Sequence, residues 1–211
     1  MFIPLVDILR CVRRPPHDDT WLVASIDRAE ERDIIEGVLG CPICSAEYPI
    51  HAGIVNFAPE VARPDYRAAP EEEAIRLAAA LDLVDPRMTA VLYGRWGSSA
   101  PLVRGLSPAQ LLLVNPPAGI ATGDGVSIVL SNLATLAMAS VNAVAIDDGA
   151  SPAMVASLAA SLRSGGRMIG PVSVAIPGDL VEIARDDEVW VARLETAATT
   201  SAPILPTRRS R

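Results

Sequence analysis

Cys41-Pro42-Ile43-Cys44 sets two thiols three positions apart, and Cys11, the remaining cysteine of the 211 residues, stands 30 positions upstream. A Cys-x-x-Cys turn aims two sulfurs at one point, and a tetrahedral Zn²⁺ site built as a ribbon takes one such turn from each half. The upstream half is incomplete here: the residue three after Cys11 is Arg14, a cation that cannot ligate a metal. Cys11, Cys41 and Cys44 are therefore the candidate metal ligands, and His17 or Asp18 could swing in as a fourth at an unusual spacing. Two readings follow with equal weight, an incomplete zinc site or three reduced thiols in a small β-rich fold.

The residues around these cysteines extend the pattern. Phe2-Ile3-Pro4-Leu5-Val6-Asp7-Ile8-Leu9-Arg10-Cys11 and Gly40-Cys41-Pro42-Ile43-Cys44, followed by Tyr48-Pro49-Ile50 and Gly53-Ile54, resemble the small zinc-ribbon proteins that bind and activate methyltransferases. The resemblance covers residues 2–57 and departs at Arg14, in place of a ligand, and at Val12, in place of the turn proline. It implies a small β-rich domain, a zinc ion and a protein partner.

Composition bounds the function. Half of the residues are hydrophobic, enough for a buried core, and the formal net charge is −7. An acidic chain is a poor match for phosphate backbones, so nucleic acid is not an expected partner. All 18 basic residues are arginine, which excludes the lysine of a phosphate-binding loop and any Schiff-base lysine. An odd number of cysteines, two of them in a knuckle, fits a reducing cytosol rather than a disulfide framework. The N-terminus has no basic leader and does not read as a signal peptide. Residues 126–146 lack charge, but Asn132, Asn142 and several hydroxyl residues interrupt them, and no basic flanks follow, so no membrane span is expected.

The stretch 58–70 is rich in proline and charge and reads as a linker. Pro70 suits a first helical position and Glu71, Glu72 and Glu73 suit a helix N-terminus, so a helix is expected from there to Val84, before Pro86. Short apolar runs follow at Thr89–Tyr93, Leu111–Val114, Val126–Leu130, Val141–Ile146 and Arg167–Val174, the signature of buried parallel strands. A helix is expected from Ser151-Pro152 to about Arg163, ended by Gly165-Gly166. Leu180–Ala184 and Val189–Leu194 read as a closing antiparallel hairpin, and 196–211 as a disordered tail.

This order, with a glycine turn after the first strand, acids after the fourth, Leu162-Arg163-Ser164-Gly165-Gly166-Arg167-Met168-Ile169 and a terminal hairpin, resembles the S-adenosylmethionine-dependent methyltransferase fold over residues 71–195. The resemblance implies cofactor contacts at Gly94 and Gly97 in the first loop, at Asn115 after the second strand and at Asp147 after the fourth. It also exposes departures: Tyr93-Gly94-Arg95-Trp96-Gly97 sets Arg95 or Trp96 where glycine is expected, and Asn115 replaces the acid that would hold ribose hydroxyls. Both histidines lie in the first 57 residues, so no histidine-based nucleophile pair is available to the larger region. Trp96 and Trp190 are expected to be core or interface anchors.

The expectation is an α/β protein: a reduced Rossmann-like methyltransferase sheet (71–195) behind a linker (58–70) and a small N-terminal β-rich zinc-ribbon-like domain (1–57). The expected function is that of a cytoplasmic, non-catalytic methyltransferase-like protein acting through a protein partner or self-association. Zinc binding would be incomplete and S-adenosylmethionine binding doubtful. The alternative is an active methyltransferase with an atypical cofactor loop.

Overall fold

The computed structural model describes residues 1–13, 19–133 and 135–195; Arg14, His17, Asp18 and the expected tail at 196–211 lie outside the described residues. A 3₁₀ segment, Ile3–Ile8, leads into four strands that pair antiparallel in succession: β1 (Val23–Glu30), β2 (Asp33–Gly40), β3 (Glu47–His51) and β4 (Ile54–Asn56). Then follow α1 (Glu71–Leu81), β5 (Thr89–Tyr93), a 3₁₀ turn (Gly94–Ser99), α2 (Ala100–Leu106), β6 (Gln110–Val114), β7 (Val126–Leu130) and β8 (Val141–Ala145). The chain continues through α3 (Pro152–Ala160), β9 (Leu162–Pro171), β10 (Leu180–Arg185) and β11 (Val189–Leu194).

All eleven strands form one sheet in the order β1-β2-β3-β4-β7-β6-β5-β8-β9-β11-β10. From β4 to β9 every pairing is parallel, and β11 closes antiparallel on β9. The chain steps outward from β5 to β6 to β7 and then returns to β8 beside β5. That reversal is the switch point of a doubly wound sheet, where loops diverge beyond the carboxyl ends of the strands. The α/β class with a Rossmann-like sheet is thus present.

The central strands are apolar on both sides, as parallel strands must be when both faces are covered. Leu112 and Val114 of β6 enter one core with Val129, Val144 and α3, whereas Leu111 and Leu113 enter the other with α1 and α2. Residues 115–125 and 131–140, which connect β6 to β7 and β7 to β8, contain no helix among the described residues. The N-terminal part of the chain covers what such helices would cover. Leu5, Val6 and Leu9 share the first core with Leu112, Val114, Val129 and Leu136. The Phe2 amide donates to Ser127 Oγ (2.9 Å), the Arg10 amide to the Thr135 carbonyl and the Ala137 amide to the Ile8 carbonyl.

Stretch 58–70 is tied down as well. The Arg63 guanidinium donates to the carbonyls of Pro116 and Pro117, both at 2.8 Å, the Ala118 amide donates to the Pro64 carbonyl, and Asp65 bridges Ala118 in parallel register.

Element boundaries differ from expectation where a tertiary contact outweighs local preference. Helix α1 starts after Pro70, which serves as its N-cap, and stops at Leu81 because Asp82 turns left-handed. Helix α3 ends at Ala160, and Gly165-Gly166 do not terminate it. They lie inside β9, where the register against β8 jumps between Val141 and Ala143, and the two glycines let the strand bulge and resume at Arg167. Residues 126–146 hold β7, a connection and β8; among the described residues no helix is long and apolar enough to cross a membrane.

Candidate metal centre and strand-end loops

Strand β2 ends at Gly40, and the chain folds through Cys41–Ser45 into β3. The Ser45 amide donates to the Cys41 carbonyl (3.0 Å) and the Cys41 amide to the Ala46 carbonyl (2.8 Å), which closes the knuckle. Cys11 reaches it from the far side of the N-terminal segment, its amide bonded to the Thr20 carbonyl. The sulfurs of Cys11, Cys41 and Cys44 lie within 4.8 Å of one another, with Cys11 and Cys41 buried and Cys44 half-buried. Cys11 Sγ is 3.7 Å from Cys44 Sγ. Two sulfurs about 2.3 Å from a tetrahedral ion stand roughly 3.8 Å apart, so this pair already spans one edge of a zinc tetrahedron.

The electrostatics divide the three thiols. Burial pushes the Cys41 thiol up, but the backbone of Cys44 and Ile43 and the neighbouring thiols outweigh it, and the net shift is downward, toward thiolate. Burial also raises Cys11; the Tyr48 hydroxyl and the Arg13 backbone oppose it without reversing it. Tyr48 itself is pushed up by burial and then by the adjoining Cys11 thiol. Its hydroxyl lies 3.1 Å from Cys11 Sγ, and its ring packs on Phe57 with centroids 4.4 Å apart. Three soft sulfurs in one cluster, two of them buried, suit Zn²⁺ or another thiophilic ion.

At the carboxyl ends of the parallel strands the structure joins Gly94 to Asp147. Gly94 takes φ +60°, and a Cβ built there would collide with the Asp147 carboxyl group. That group is buried and accepts the Arg95 amide (2.7 Å) and the Gly149 amide (3.0 Å). Trp96, also buried, donates its indole N–H to the Ile146 carbonyl at 2.8 Å. Asn115 and Gly97 serve neighbouring loops. Asn115 has φ +51°; its amide nitrogen donates to the Ser131 carbonyl (2.7 Å), and its oxygen accepts the Ser131 amide (2.8 Å). Gly97 packs against the Pro116 ring. In these loops the Asp147 carboxyl group and the Asn115 amide are bonded to protein, and Gly94 and Gly97 are closed over by Asp147 and Pro116.

Sequence reasoning passed over three residues that the structure makes prominent. Arg63 clamps the loop after β6. Trp21 is 73% exposed, and Val23 and Ile43 of the same N-terminal part are exposed as well. Tyr48, read only as part of a motif, touches the thiol cluster; an aromatic hydroxyl seven residues after a Cys-x-x-Cys start was the available signal. A cleft of about 840 Å³ lies between α1 and strands β9 and β11, with Leu77, Trp96, Ile169 and Val191 inside and Glu73 paired to Arg95 at 2.8 Å on its rim.

Fold and cluster together define an α/β protein with a Rossmann-like sheet and a three-cysteine candidate metal centre. No family model matches the sequence, and no curated protein is significantly similar to it. Among solved structures, geranyl diphosphate methyltransferase in complex with SAM is 21% identical with a TM-score of 0.40, over 47% of this chain and 48% of that one. Geranyl diphosphate C-methyltransferase from Streptomyces coelicolor A3(2) is 18% identical (TM-score 0.41, 47% of this chain and 42% of that one). The Burkholderia thailandensis 1,6-didemethyltoxoflavin-N1-methyltransferase is 15% identical (TM-score 0.41, 59% and 77%). The chain thus spans less than half the length of the first two.

Proposed function

We propose that this protein is a non-catalytic, methyltransferase-like binding or regulatory protein that acts through protein contacts, with a zinc-ribbon-like N-terminal part. The observation that carries the reading is the Asp147 carboxyl group against Gly94: it fills the space a side chain there would take and accepts the amides of Arg95 and Gly149. The Asn115 amide, spent on Ser131, supports the same reading. Exposed Trp21, Val23 and Ile43 on the N-terminal part supply apolar surface for a protein partner or a second copy of the chain. The Cys11, Cys41 and Cys44 cluster would hold zinc, which would tie the N-terminal segment to the knuckle.

Calorimetric titration with S-adenosylmethionine and S-adenosylhomocysteine tests it, and no saturable heat is expected. Micromolar affinity for either would overturn the non-catalytic reading in favour of an active methyltransferase with an atypical loop. The observation on that side is the cleft between α1 and the sheet, which Arg95 and Trp96 of the loop after β5 help to line.

A further inference from the structure

We infer that Tyr48 is the positioning residue of a three-thiolate metal centre, its hydroxyl holding the Cys11 sulfur in place opposite the Cys41–Cys44 knuckle. The inference rests on the metal reading above and adds a residue to it. The knuckle sulfurs are aimed by their own turn, whose backbone surrounds Cys41. Cys11 has the Arg13 backbone beside it but no second thiol at Val12, Arg13 or Arg14 to share its turn. Its sulfur meets Tyr48 Oη at 3.1 Å and Cys44 Sγ at 3.7 Å, with Cys41 alongside, and Tyr48 is the one of these three that is not itself a candidate ligand.

The direction of this bond follows from the chemistry. A metal-bound sulfur has given up its proton, so the hydroxyl must donate and the thiolate accept. Tyr48 is buried, so water competes little for that proton. The hydroxyl is also held on rigid structure: Tyr48 sits on β3 directly across from Leu39 of β2, and its ring rests on Phe57. A hydrogen bond of this kind fixes a ligand's orientation and tunes the ion it binds, and its loss typically weakens metal affinity 10- to 100-fold.

The test uses the full chain under reducing conditions, titrated with Co²⁺ as a spectroscopic stand-in and with Zn²⁺ in competition against a chelator. The wild-type protein should develop sulfur-to-cobalt charge-transfer absorption. Tyr48→Phe keeps the ring and loses the hydroxyl; it should bind both ions on the order of 10- to 100-fold more weakly. Its charge-transfer band should move to lower energy, because the sulfur lone pair is no longer stabilised. Fluorotyrosine at position 48 makes the hydroxyl a stronger donor without removing an atom, should fold if Tyr48→Phe does not, and should move the band the opposite way. Wild-type bands with no change in either variant overturn the role of Tyr48 and leave the metal reading standing. Absence of thiolate bands in the wild type overturns both.

Discussion

Gly94 and Asp147 show how two residues decide what the strand-end loop can do. Gly94 sits in the left-handed region, and its missing side chain is where the Asp147 carboxyl group rests. Gly94→Ala should destabilise the protein by about 2–3 kcal/mol, from backbone strain together with displacement of the buried carboxyl from two amides. Urea unfolding measures this, and a loss under about 0.5 kcal/mol would mean that the loop re-forms freely. The thiols make a second prediction. Three sulfurs leave one position of a tetrahedral ion to water, so protein purified under reducing conditions should carry zinc that a chelator strips readily. Elemental analysis before and after chelation checks this; a full, resistant equivalent would require a fourth protein ligand. Asp85 gives a pH prediction. Hydrogen bonds from the Arg87 side chain and backbone hold its carboxyl down to about 2. Because the folded value lies below the ordinary one near 3.9, the contribution is complete above about pH 4 and is lost as pH falls toward 2. An NMR titration should place the midpoint near 2; a midpoint near 4 would show the Arg87 contact open in solution.

At the scale of elements, the strap at 58–70 separates sequence character from structural role. Proline and charge make it read as a linker, yet Arg63 places a guanidinium across two carbonyls of the loop after β6, and burial lowers the pKa of that guanidinium. Arg63→Ala removes both bonds and leaves the carbonyls of Pro116 and Pro117 without this donor. It should cost about 2 kcal/mol, in the range for hydrogen bonds to a charged group, and should hasten proteolysis between Ala58 and Pro70. Equal cleavage rates in variant and wild type would show the strap to be loose already. Gly165-Gly166 carries the same lesson in reverse: a glycine pair that suits a helix stop serves as a strand bulge, because β9 must regain register with β8 before Met168 and Ile169 reach the core.

For the whole molecule, the continuous sheet is the governing fact. β4 pairs with β7, the first core runs from Met1 to Ala192, and the N-terminal segment covers a sheet face that the short β7–β8 connection leaves bare. The chain should therefore unfold in one transition. Trp21 reports on the N-terminal part and Trp96 and Trp190 on the larger sheet, so fluorescence from single-tryptophan variants should coincide with circular dichroism across a urea titration. Separated midpoints would show two independent units.

The apolar runs of β5 to β8, the terminal hairpin and the α/β class were legible because buried strands leave short, local, nearly uninterrupted patterns. The three thiols were legible too, since cysteine spacing is itself a chemical signal. What the residues alone could not decide depended on partners far away in sequence. Asn115 reads as a weakened ribose ligand, and only the fold brings Ser131 to both ends of its amide. Tyr48 reads as a strand aromatic until Cys11 arrives beside it from 37 residues away. The N-terminal 57 residues read as a separate domain, and only the edge-to-edge pairing of β4 with β7 makes them part of one sheet. Local pattern sets which elements form; which polar groups remain free for chemistry is settled by long-range hydrogen bonds that close only when the chain is folded.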